Sequence, residues 1–582
     1  MYRRLIKCIR EYKLPTVLTL IFIVAEVIIE VFIPFITANL VNNIKSGAEI
    51  ADIAKVGAIL ICLALISLAC GGIAGYTCAK ASAGFAKNVR HDVFKKIQTF
   101  SFENIDKFSS TSLVTRLTTD ISNLQMSYMM IIRTAIRSPM MLTFSIIMAY
   151  IMGGFLATTF VVVVPILALG LYFVSRKAMP AFRRVFKKYD KLNESIEENV
   201  RAMRVVKGFS REDYEKKKFG IASEDICGDF TKAERIVALN APLMQFCVYF
   251  NMVFVLLVGS KMVITSGGTQ IDVGQISAML TYGMQILMSL MMLSMIYVML
   301  TMSAESIKRI SEVLNEVPAL SEKENAVTNV KDGSIDFENV SFKYSKKAKR
   351  YALSDINIHI ESGMTVGVIG GTGSSKSTLV QLIARLYDAT EGTVKVGGVD
   401  VKDYNMDSLR SSVAMVLQKN LLFSGTIAEN LRWGNENATD EELVEACKLA
   451  QADEFVRSFP EGYQTKIEQG GTNVSGGQKQ RLCIARALVK KPKILVLDDS
   501  TSAVDTRTDA FIREGFKTYI PETTKIIIAQ RISSVMDADM IIVMSGGRIE
   551  HAGNHAELME NSGIYREIYN SQTGMKGGTD NE

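Results

Sequence analysis

Long apolar segments dominate the first half of the chain, whereas from about residue 305 charges, glycines and turn residues recur every few positions. An α-helix needs about 20 apolar residues to cross the hydrocarbon core of a membrane. By this criterion the pattern predicts six membrane helices, at about 14–40, 56–80, 130–152, 155–176, 236–262 and 273–303. The uncharged stretch 138–175 is too long for one crossing, and Gly153 and Gly154 predict a very short hairpin within it.

The distribution of lysine and arginine predicts how the chain crosses the membrane. The first thirteen residues carry five such side chains and the loop 176–235 carries sixteen, whereas the loop near Gly153 carries none. Basic loops remain on the cytoplasmic side. We therefore expect a multi-pass protein of the plasma membrane, bacterial in origin, with both termini in the cytoplasm and the lipid bilayer as its surroundings.

Two cytoplasmic loops, roughly 80–130 and 176–235, are long, charged and rich in helix-forming residues. Loops of this length without structure of their own are uncommon. They are expected to be membrane helices that continue into the cytoplasm and transmit force to a soluble motor. The alternative is that they are only solvated loops.

Length and composition divide the chain into domains and exclude some functions. The 582 residues predict a transmembrane domain at 1–317, a linker at 318–333, a nucleotide-binding domain at 334–575 and a flexible tail at 576–582. The net charge of +6 arises largely from loops that flank the membrane helices, so no nucleic acid is expected as a partner. The eight cysteines have neither CxxC pairs nor metal-site spacing, which favours reduced thiols.

A phosphate-binding loop is predicted at 370–378. The apolar strand MTVGVIG runs into GGTGSSKST and then into the helical sequence LVQLIARL, which is the context of a P-loop. Backbone N–H groups would hold phosphates, Lys376 would neutralise the β and γ phosphates, and Ser377 would offer its hydroxyl to Mg²⁺. The predicted ATP-binding residues of the loop are Gly371, Thr372, Gly373, Ser374, Ser375, Lys376, Ser377 and Thr378.

One residue of this loop departs from the usual pattern. Ser375 stands where glycine normally precedes the lysine. We expect a small strain there, on the scale of about 0.5–1 kcal/mol for glycine effects. The charge of Lys376 and the hydroxyl of Ser377 are unaffected.

Two further motifs follow the P-loop. The run ILVLDD at 494–499 is typical of a buried parallel strand that delivers Asp498 to a metal ion. Before it lies SGGQ at 475–478, which resembles the signature of ATP-binding-cassette (ABC) proteins. The resemblance covers essentially the whole chain and implies the type IV exporter fold. In this fold a domain-swapped bundle of six membrane helices precedes an α/β P-loop nucleotide-binding domain.

The resemblance implies roles for further residues. Tyr344 is similar to the aromatic residue that stacks on adenine, Gln418 to the glutamine that touches Mg²⁺ and the attacking water, and Asp505 to the end of a loop between paired domains. Taken singly, Tyr344 is more often a strand aromatic, Gln418 a surface side chain and Asp505 a helix cap, so the prediction rests on their order and spacing. The signature residues expected to contact the partner's ATP are Ser475, Gly476, Gly477 and Gln478. The segment 193–212 resembles the second cytoplasmic loop of multidrug exporters.

Two residues depart from the pattern of hydrolysing family members. Asp499 replaces the glutamate that acts on water, and Gln530 replaces the histidine expected at the γ-phosphate. Aspartate is shorter by about 1.5 Å, and misplacements of about 1 Å can cost a hundredfold in rate. Either change alone could be neutral drift, whereas together they predict a site that binds ATP and cleaves it slowly. We therefore expect a heterodimer whose homologous partner supplies the missing glutamate and histidine, because in a homodimer both sites would be impaired.

The membrane half offers candidate contacts for cargo. Six methionines recur at helical spacing in the last span: Met284, Met288, Met291, Met295, Met299 and Met302. Such a stripe suits varied apolar cargo or simply packs on lipid. Glu26 and Glu30 share one face of the first span and would suit cationic cargo or play a structural role. Arg133 and Arg137 are expected to snorkel towards the cytoplasm.

Three functions are compatible with these features. The first is ATP-driven export of hydrophobic or amphipathic small molecules, of the multidrug type. The second is export of lipid or peptide. The third is a nucleotide-sensing membrane subunit that regulates a partner without transport, because binding without turnover is what a sensor needs.

Overall fold

The computed structural model describes residues 2–345, 348–499 and 505–573. The chain forms two compact units. The first comprises Met1–Thr99 and Phe108–Glu316, and the second comprises Phe100–Lys107 and Val317–Glu582.

Helices form the described part of the first 316 residues. They are α1 (Tyr2–Lys7), α2 (Lys13–Lys45), α3 (Ile50–Gln98), α4 (Phe102–Phe108), α5 (Ser110–Thr115), α6 (Ile121–Ile132), α7 (Thr134–Gly153), α8 (Thr158–Arg201), α9 (Met203–Gly208), α10 (Glu212–Val237), α11 (Asn240–Ser266) and α12 (Val273–Asn315). At a rise of about 1.5 Å per residue, α3, α8 and α12 exceed the thickness of the hydrocarbon core, so they extend beyond it.

Five helical segments in the described chain are long and apolar enough to cross a membrane. The third, Ser110–Phe182, is too long for one crossing and is interrupted by the short 3₁₀ turn Gly154–Ala157. Gly154 has a φ of 47° there, a left-handed conformation that glycine adopts without steric cost. The turn divides this segment into two crossings, so the fold accommodates six.

The core of the first unit lies where α2, α7 and α12 meet. Tyr282 on α12 is fully buried, and its hydroxyl donates a hydrogen bond of 2.8 Å to the carbonyl of Val31 on α2. Gly283 allows close packing on α11, because a Cβ at this position would lie 2.2 Å from Asn251 Nδ2. Small residues permit such close approach between membrane helices.

The second unit is an α/β domain. Its strands are β1 (Ile335–Phe342), β2 (Leu353–Ile360), β3 (Thr365–Gly370), β4 (Glu391–Val396), β5 (Val399–Asp400), β6 (Val413–Val416), β7 (Gly425–Thr426), β8 (Lys466–Ile467), β9 (Ile494–Asp498), β10 (Thr524–Ile528), β11 (Met540–Ser545) and β12 (Arg548–Gly553). Its helices are α13 (Lys376–Ile383), α14 (Met406–Ser412), α15 (Ile427–Arg432), α16 (Asp440–Leu449), α17 (Asp453–Ser458), α18 (Gly476–Val489), α19 (Thr506–Tyr519), α20 (His555–Asn561) and α21 (Gly563–Thr573).

Two main sheets organise this unit. One is antiparallel with the order β2-β1-β4-β5, and the other has the order β12-β11-β3-β10-β9-β6. In the second sheet β11, β3, β10, β9 and β6 run parallel. All residues of β9 and β10 are buried, as expected for central strands covered on both faces. The carboxyl ends of these strands meet at one edge, which is where open α/β sheets bind ligands.

The segment predicted as a linker is packed on the second unit. Val330 is buried in the core beside the antiparallel sheet, and the backbone N–H of Val327 donates to the carbonyl of Asp403. The tip of the first cytoplasmic loop also belongs to this unit, because Asp106 accepts a hydrogen bond of 2.8 Å from the hydroxyl of Tyr387. The predicted tail 576–582 lies outside the described residues.

Candidate nucleotide-binding site

The P-loop joins β3 to α13 and encloses the side chain of Lys376. The lysine ammonium donates to the carbonyls of Gly370 and Gly371, both at 2.9 Å, and to the Ser374 hydroxyl at 3.3 Å. Burial lowers the pKa of Lys376, while the carboxylates of Asp498 and Asp499 oppose this shift. A half-buried cation beside backbone groups of the loop is suited to binding phosphate.

Ser375 adopts the backbone conformation that the usual glycine would favour. Its φ is 72° and its ψ is 25°, in the left-handed helical region. A residue with a Cβ pays about 1–2 kcal/mol to adopt this region. Ser375 therefore occupies a backbone region that glycine adopts freely, at the cost of local strain.

Oxygen donors suited to a magnesium ion meet beside the loop. The hydroxyl of Ser377 hydrogen-bonds to the carboxyl of Asp498 at the end of β9. Burial raises the pKa of Asp498, and Asp499 adds to the increase, whereas Ser377 and Lys376 oppose it. A hydroxyl and a buried carboxylate are the ligands that Mg²⁺ accepts together with phosphate oxygens. These residues fit magnesium and ATP, and the bound metal would neutralise charge on the phosphates.

The two non-consensus residues contact each other directly. Gln530, which follows β10, donates from Nε2 to Oδ2 of Asp499 at 2.8 Å. Gln418, which follows β6, points its amide at the same oxygen from 3.4 Å. The neighbouring strands β6, β9 and β10 thus deliver three side chains to one point. Asp499 also has a φ of 51°, so its position after the strand depends on a left-handed backbone.

Tyr344 lies next to the first helix of the site. Its hydroxyl is 2.9 Å from Thr378 Oγ1 and donates to Gln381 Oε1 at 3.1 Å. Its ring stands edge-on to the ring of Tyr387, with centroids 5.2 Å apart, and 45% of the residue is exposed. An exposed aromatic face held beside the P-loop helix is suitable for stacking on a nucleobase.

Comparisons with known proteins identify the family. Residues 16–290 match the family model described as the ABC transporter transmembrane region, and residues 353–502 match the model described as ABC transporter. An uncharacterized ABC transporter ATP-binding protein of Bacillus subtilis, YfiB, is 36% identical over 98% of this chain and 98% of its own length. The chain belongs to the ABC transporter family.

Two further relatives of this transporter are informative. The fatty acid ABC transporter ATP-binding/permease protein of Mycobacterium tuberculosis is 34% identical over 82% of this chain and 75% of its own length. A solved structure of a bacterial Atm1-family ABC exporter with ATP bound matches with a TM-score of 0.83 at 22% identity. That match covers 98% of this chain and 99% of the other. The transporter therefore has the type IV exporter fold, with a helical membrane domain followed by an α/β nucleotide-binding domain.

The signature of this transporter forms the N-terminus of α18. Ser475 and Gln478 hydrogen-bond to each other in a capping box, with Ser475 Oγ accepting from the Gln478 N–H at 3.2 Å. Gly476 and Gly477 form the first turn, which contains no acidic side chain. The positive end of the helix dipole is thus available to an anion.

Asp505 caps α19, the helix that follows β9 in the chain. Its carboxylate accepts a hydrogen bond of 2.9 Å from the N–H of Thr508 at the start of α19, and this contact lowers its pKa. The rest of the predicted SAVD loop, Ser502, Ala503 and Val504, lies outside the described residues. The role of Asp505 between paired domains stays a prediction.

The predicted cargo residues of the transporter lie on different surfaces of the membrane unit. Met284, Met288, Met291 and Met295 are 41–55% exposed on one face of α12, Met299 is partly buried, and the side chain of Met302 is outside the described set. Glu26 and Glu30 lie on α2 and face Arg137 on α7. Arg137 Nη2 is 2.7 Å from both carboxylate oxygens of Glu30 and 3.5 Å from Glu26 Oε1.

This ion pair corrects one sequence-based expectation. Arg137 does not snorkel towards the cytoplasm, because its guanidinium turns to Glu30 and Glu26. Arg133 lies at the break between α6 and α7. Since the carboxylates already have a cation beside them, their contact with cationic cargo stays a prediction.

Sequence reasoning missed residues that support the site through amide groups. Gln480 on α18 donates from Nε2 to the backbone carbonyl of Asp499 at 3.2 Å and so links the signature helix to the end of β9. Gln480 is almost fully buried, at 1% exposure. The one signal in the sequence is that Gln480 is a polar residue on the apolar face of the predicted helix, which indicates a buried hydrogen-bond partner but not which one.

Proposed function

We propose that this chain is one half of a heterodimeric, ATP-driven exporter. Its own site binds ATP and cleaves it slowly, while its signature at 475–478 completes the site of a homologous partner, where ATP is hydrolysed. Both termini lie in the cytoplasm. The observation that carries this proposal is the hydrogen bond of 2.8 Å between Gln530 and Asp499.

The chemistry of this pair explains slow cleavage. A carboxylate that accepts a proton from water needs a free lone pair and the correct reach. In this chain Oδ2 of Asp499 accepts from the amide of Gln530, and the aspartate arm is one methylene shorter than the glutamate arm. A side-chain amide stays neutral at any working pH, so Gln530 can offer the γ-phosphate a hydrogen bond but no positive charge.

Exposed apolar side chains in each unit support assembly with a homologous chain. In the first unit, helix α9 has no buried residue, and Val205 and Phe209 near it are 58% and 76% exposed. In the second unit a groove contains the stacked rings of Phe423 and Trp433, with centroids 4.1 Å apart, beside exposed Leu421. Exposed patches of this kind mark protein interfaces. A partner's cytoplasmic loop would occupy this groove in a domain-swapped dimer.

The proposed cargo is hydrophobic or amphipathic, as in multidrug exporters. The exposed methionine face of α12 offers adaptable apolar contact, and Arg137 offsets one of the two negative charges of Glu26 and Glu30. A second candidate is export of amphiphiles with acyl chains. It is favoured by the fatty acid transporter of Mycobacterium tuberculosis, which is 34% identical to this chain.

The heterodimer is tested by producing the chain together with a homologous half-transporter that has the glutamate and histidine. Replacing the partner's glutamate by glutamine should lower the ATPase rate of the pair by about 100-fold. Asp499→Asn in this chain should change the rate by less than about twofold. Asp498→Asn is compared with Asp499→Asn, because it removes a carboxylate at the same strand end and should weaken magnesium binding there. Full ATPase activity of this chain alone would contradict the proposal.

Transport is tested with the purified pair in lipid vesicles. We expect ATP-dependent movement of a lipophilic dye, and competition by a long-chain fatty acid would favour the acyl-chain candidate. The double variant Met291→Ala/Met295→Ala should raise the KM for the dye about threefold. Met252→Ala, at an exposed position of α11, should not. Absence of any ATP-dependent movement would favour the nucleotide-sensing subunit instead.

A further inference from the structure

The C-terminal helix reaches the nucleotide site through one side chain. Gln572, in the last turn of α21, donates from Nε2 to the backbone carbonyl of Gln530 at 2.7 Å. Its Oε1 accepts from the backbone N–H of Ile532 at 2.8 Å. The side-chain amide thus pairs with the backbone on both sides of Arg531, much as a neighbouring strand would.

The start of α21 is anchored by buried contacts. Tyr565, near the start of α21, is fully buried, and its hydroxyl lies 2.7 Å from Nδ1 of His555 on α20. The backbone N–H of Tyr565 donates to the hydroxyl of Ser562 at 3.3 Å. Because α21 is anchored at its beginning, Gln572 at its end can hold a loop rather than follow it.

The loop held in this way carries a side chain of the site. Ile532 is buried, whereas Gln530 is exposed and donates to Asp499 at 2.8 Å. Gln530 therefore connects Gln572 to Asp499: its backbone carbonyl accepts from Gln572, and its side-chain amide donates to Asp499. Supporting groups of this kind fix the orientation of the residues that contact a ligand.

We propose that Gln572 is a positioning residue of the nucleotide site, which sets the reach of residue 530 to residue 499 by clamping the backbone around Arg531. This role is independent of the heterodimer. It makes α21 part of the machinery that senses the γ-phosphate. The same clamp would orient a histidine at position 530.

The clamp predicts a specific pattern of hydrogen–deuterium exchange in the full-length transporter. Gln572→Ala should speed exchange of the Ile532 amide by roughly tenfold, because that N–H loses its acceptor. Gln572→Glu keeps an acceptor for the Ile532 N–H but loses the donor to the Gln530 carbonyl, so it should speed exchange of the Ile532 amide less than Gln572→Ala does. Thr573→Ala is the matched control, since its hydroxyl donates to the backbone carbonyl of Tyr569 within the same helix. If Gln572→Ala speeds exchange of the α21 peptides over the wild type by as much as it speeds exchange of the Ile532 amide, Gln572 anchors the helix and the proposal is wrong.

Kinetics provide the functional readout. In the chain that carries Asp499→Glu and Gln530→His, Gln572→Ala should lower kcat for ATP by roughly tenfold and leave KM within about twofold. The P-loop contacts that bind ATP are not altered, so an effect on kcat alone identifies positioning. The kcat values with and without Gln572→Ala are also compared in the wild-type chain. A fully active wild-type chain would refute slow cleavage, and the effect of Gln572→Ala on its kcat would still test the role of Gln572. An unchanged kcat in both backgrounds would overturn the proposal.

Discussion

The P-loop and the hydrolytic edge of the site lie on neighbouring strands and differ in how well they keep the family's chemistry. Beside β3, Lys376 and Ser377 retain the charge and hydroxyl that phosphate and metal require. Beside β9 and β10, Asp499 and Gln530 replace the expected residues and hydrogen-bond to each other. Separate strands carry the two sets of residues, and on this ground we propose that ATP binding is retained while ATP cleavage is slow.

The largest effect is expected when the binding side is removed. Lys376→Ala deletes a half-buried cation and should weaken ATP binding to this chain by about 100-fold, since loss of one partner of a charged contact costs roughly 2–5 kcal/mol once the ligand covers it. Lys395→Ala, which breaks a pair with Glu338 on the other sheet, is the control. Equilibrium binding of a fluorescent ATP analogue measures both. Equal affinities for the two variants would show that Lys376 does not hold phosphate.

Restoring the hydrolytic side should have a comparable effect in the opposite direction. The double variant Asp499→Glu/Gln530→His should raise the single-turnover cleavage rate of this chain by about 100-fold. Each single change should give much less, because the two side chains bond directly and their effects are coupled. Rates that simply multiply from the single variants would mean that the two residues act separately.

A smaller effect is expected from the strained residue of the binding side. Ser375→Gly should stabilise the second unit by about 0.5–1 kcal/mol. Glycine adopts the positive φ of this position without steric cost, although its larger entropy in the unfolded chain offsets part of the gain. Thermal unfolding should show a higher Tm. Ser411→Gly, at an exposed position in helix α14, should lower the Tm instead. A lower Tm for Ser375→Gly would contradict the strain.

The smallest effect is expected at the adenine side. Tyr344→Phe removes the hydroxyl contacts with Thr378 and Gln381 and should raise the Kd for ATP about threefold. Tyr344→Ala also removes the aromatic face and should raise the Kd tenfold or more, on a stacking scale of about 1–3 kcal/mol. Tyr351→Phe, whose hydroxyl bonds to Glu391, serves as the control. Equal values for Tyr344→Phe and Tyr344→Ala would exclude stacking as the main contribution.

Local patterns predicted much of this arrangement. The apolar run before GGTGSSKST forms β3, and the run ILVLD forms the buried β9. Both predictions depend on short windows of sequence in which hydrophobicity and turn residues determine the backbone. The break near Gly153 was predictable for the same reason.

Contacts between distant residues could not be predicted in this way. The pair of Arg137 and Glu30 joins residues 107 positions apart, and neither neighbourhood indicates the other. Gln572 lies in a helix without a motif, and its contact with the backbone at Gln530 depends on how α21 packs. The packing of Val330 likewise depends on the assembled sheet rather than on its polar surroundings in the sequence.

In the proposed heterodimer, this chain retains ATP at its own site while ATP is hydrolysed at the partner's site. The most direct measurement follows the nucleotide bound to the wild-type chain during turnover of the pair, with the Asp499→Glu/Gln530→His chain as reference. The nucleotide at Lys376 of the wild type should remain ATP through many turnovers, whereas the reference chain should convert it to ADP in each cycle. Conversion to ADP at the same rate in both chains would contradict the account.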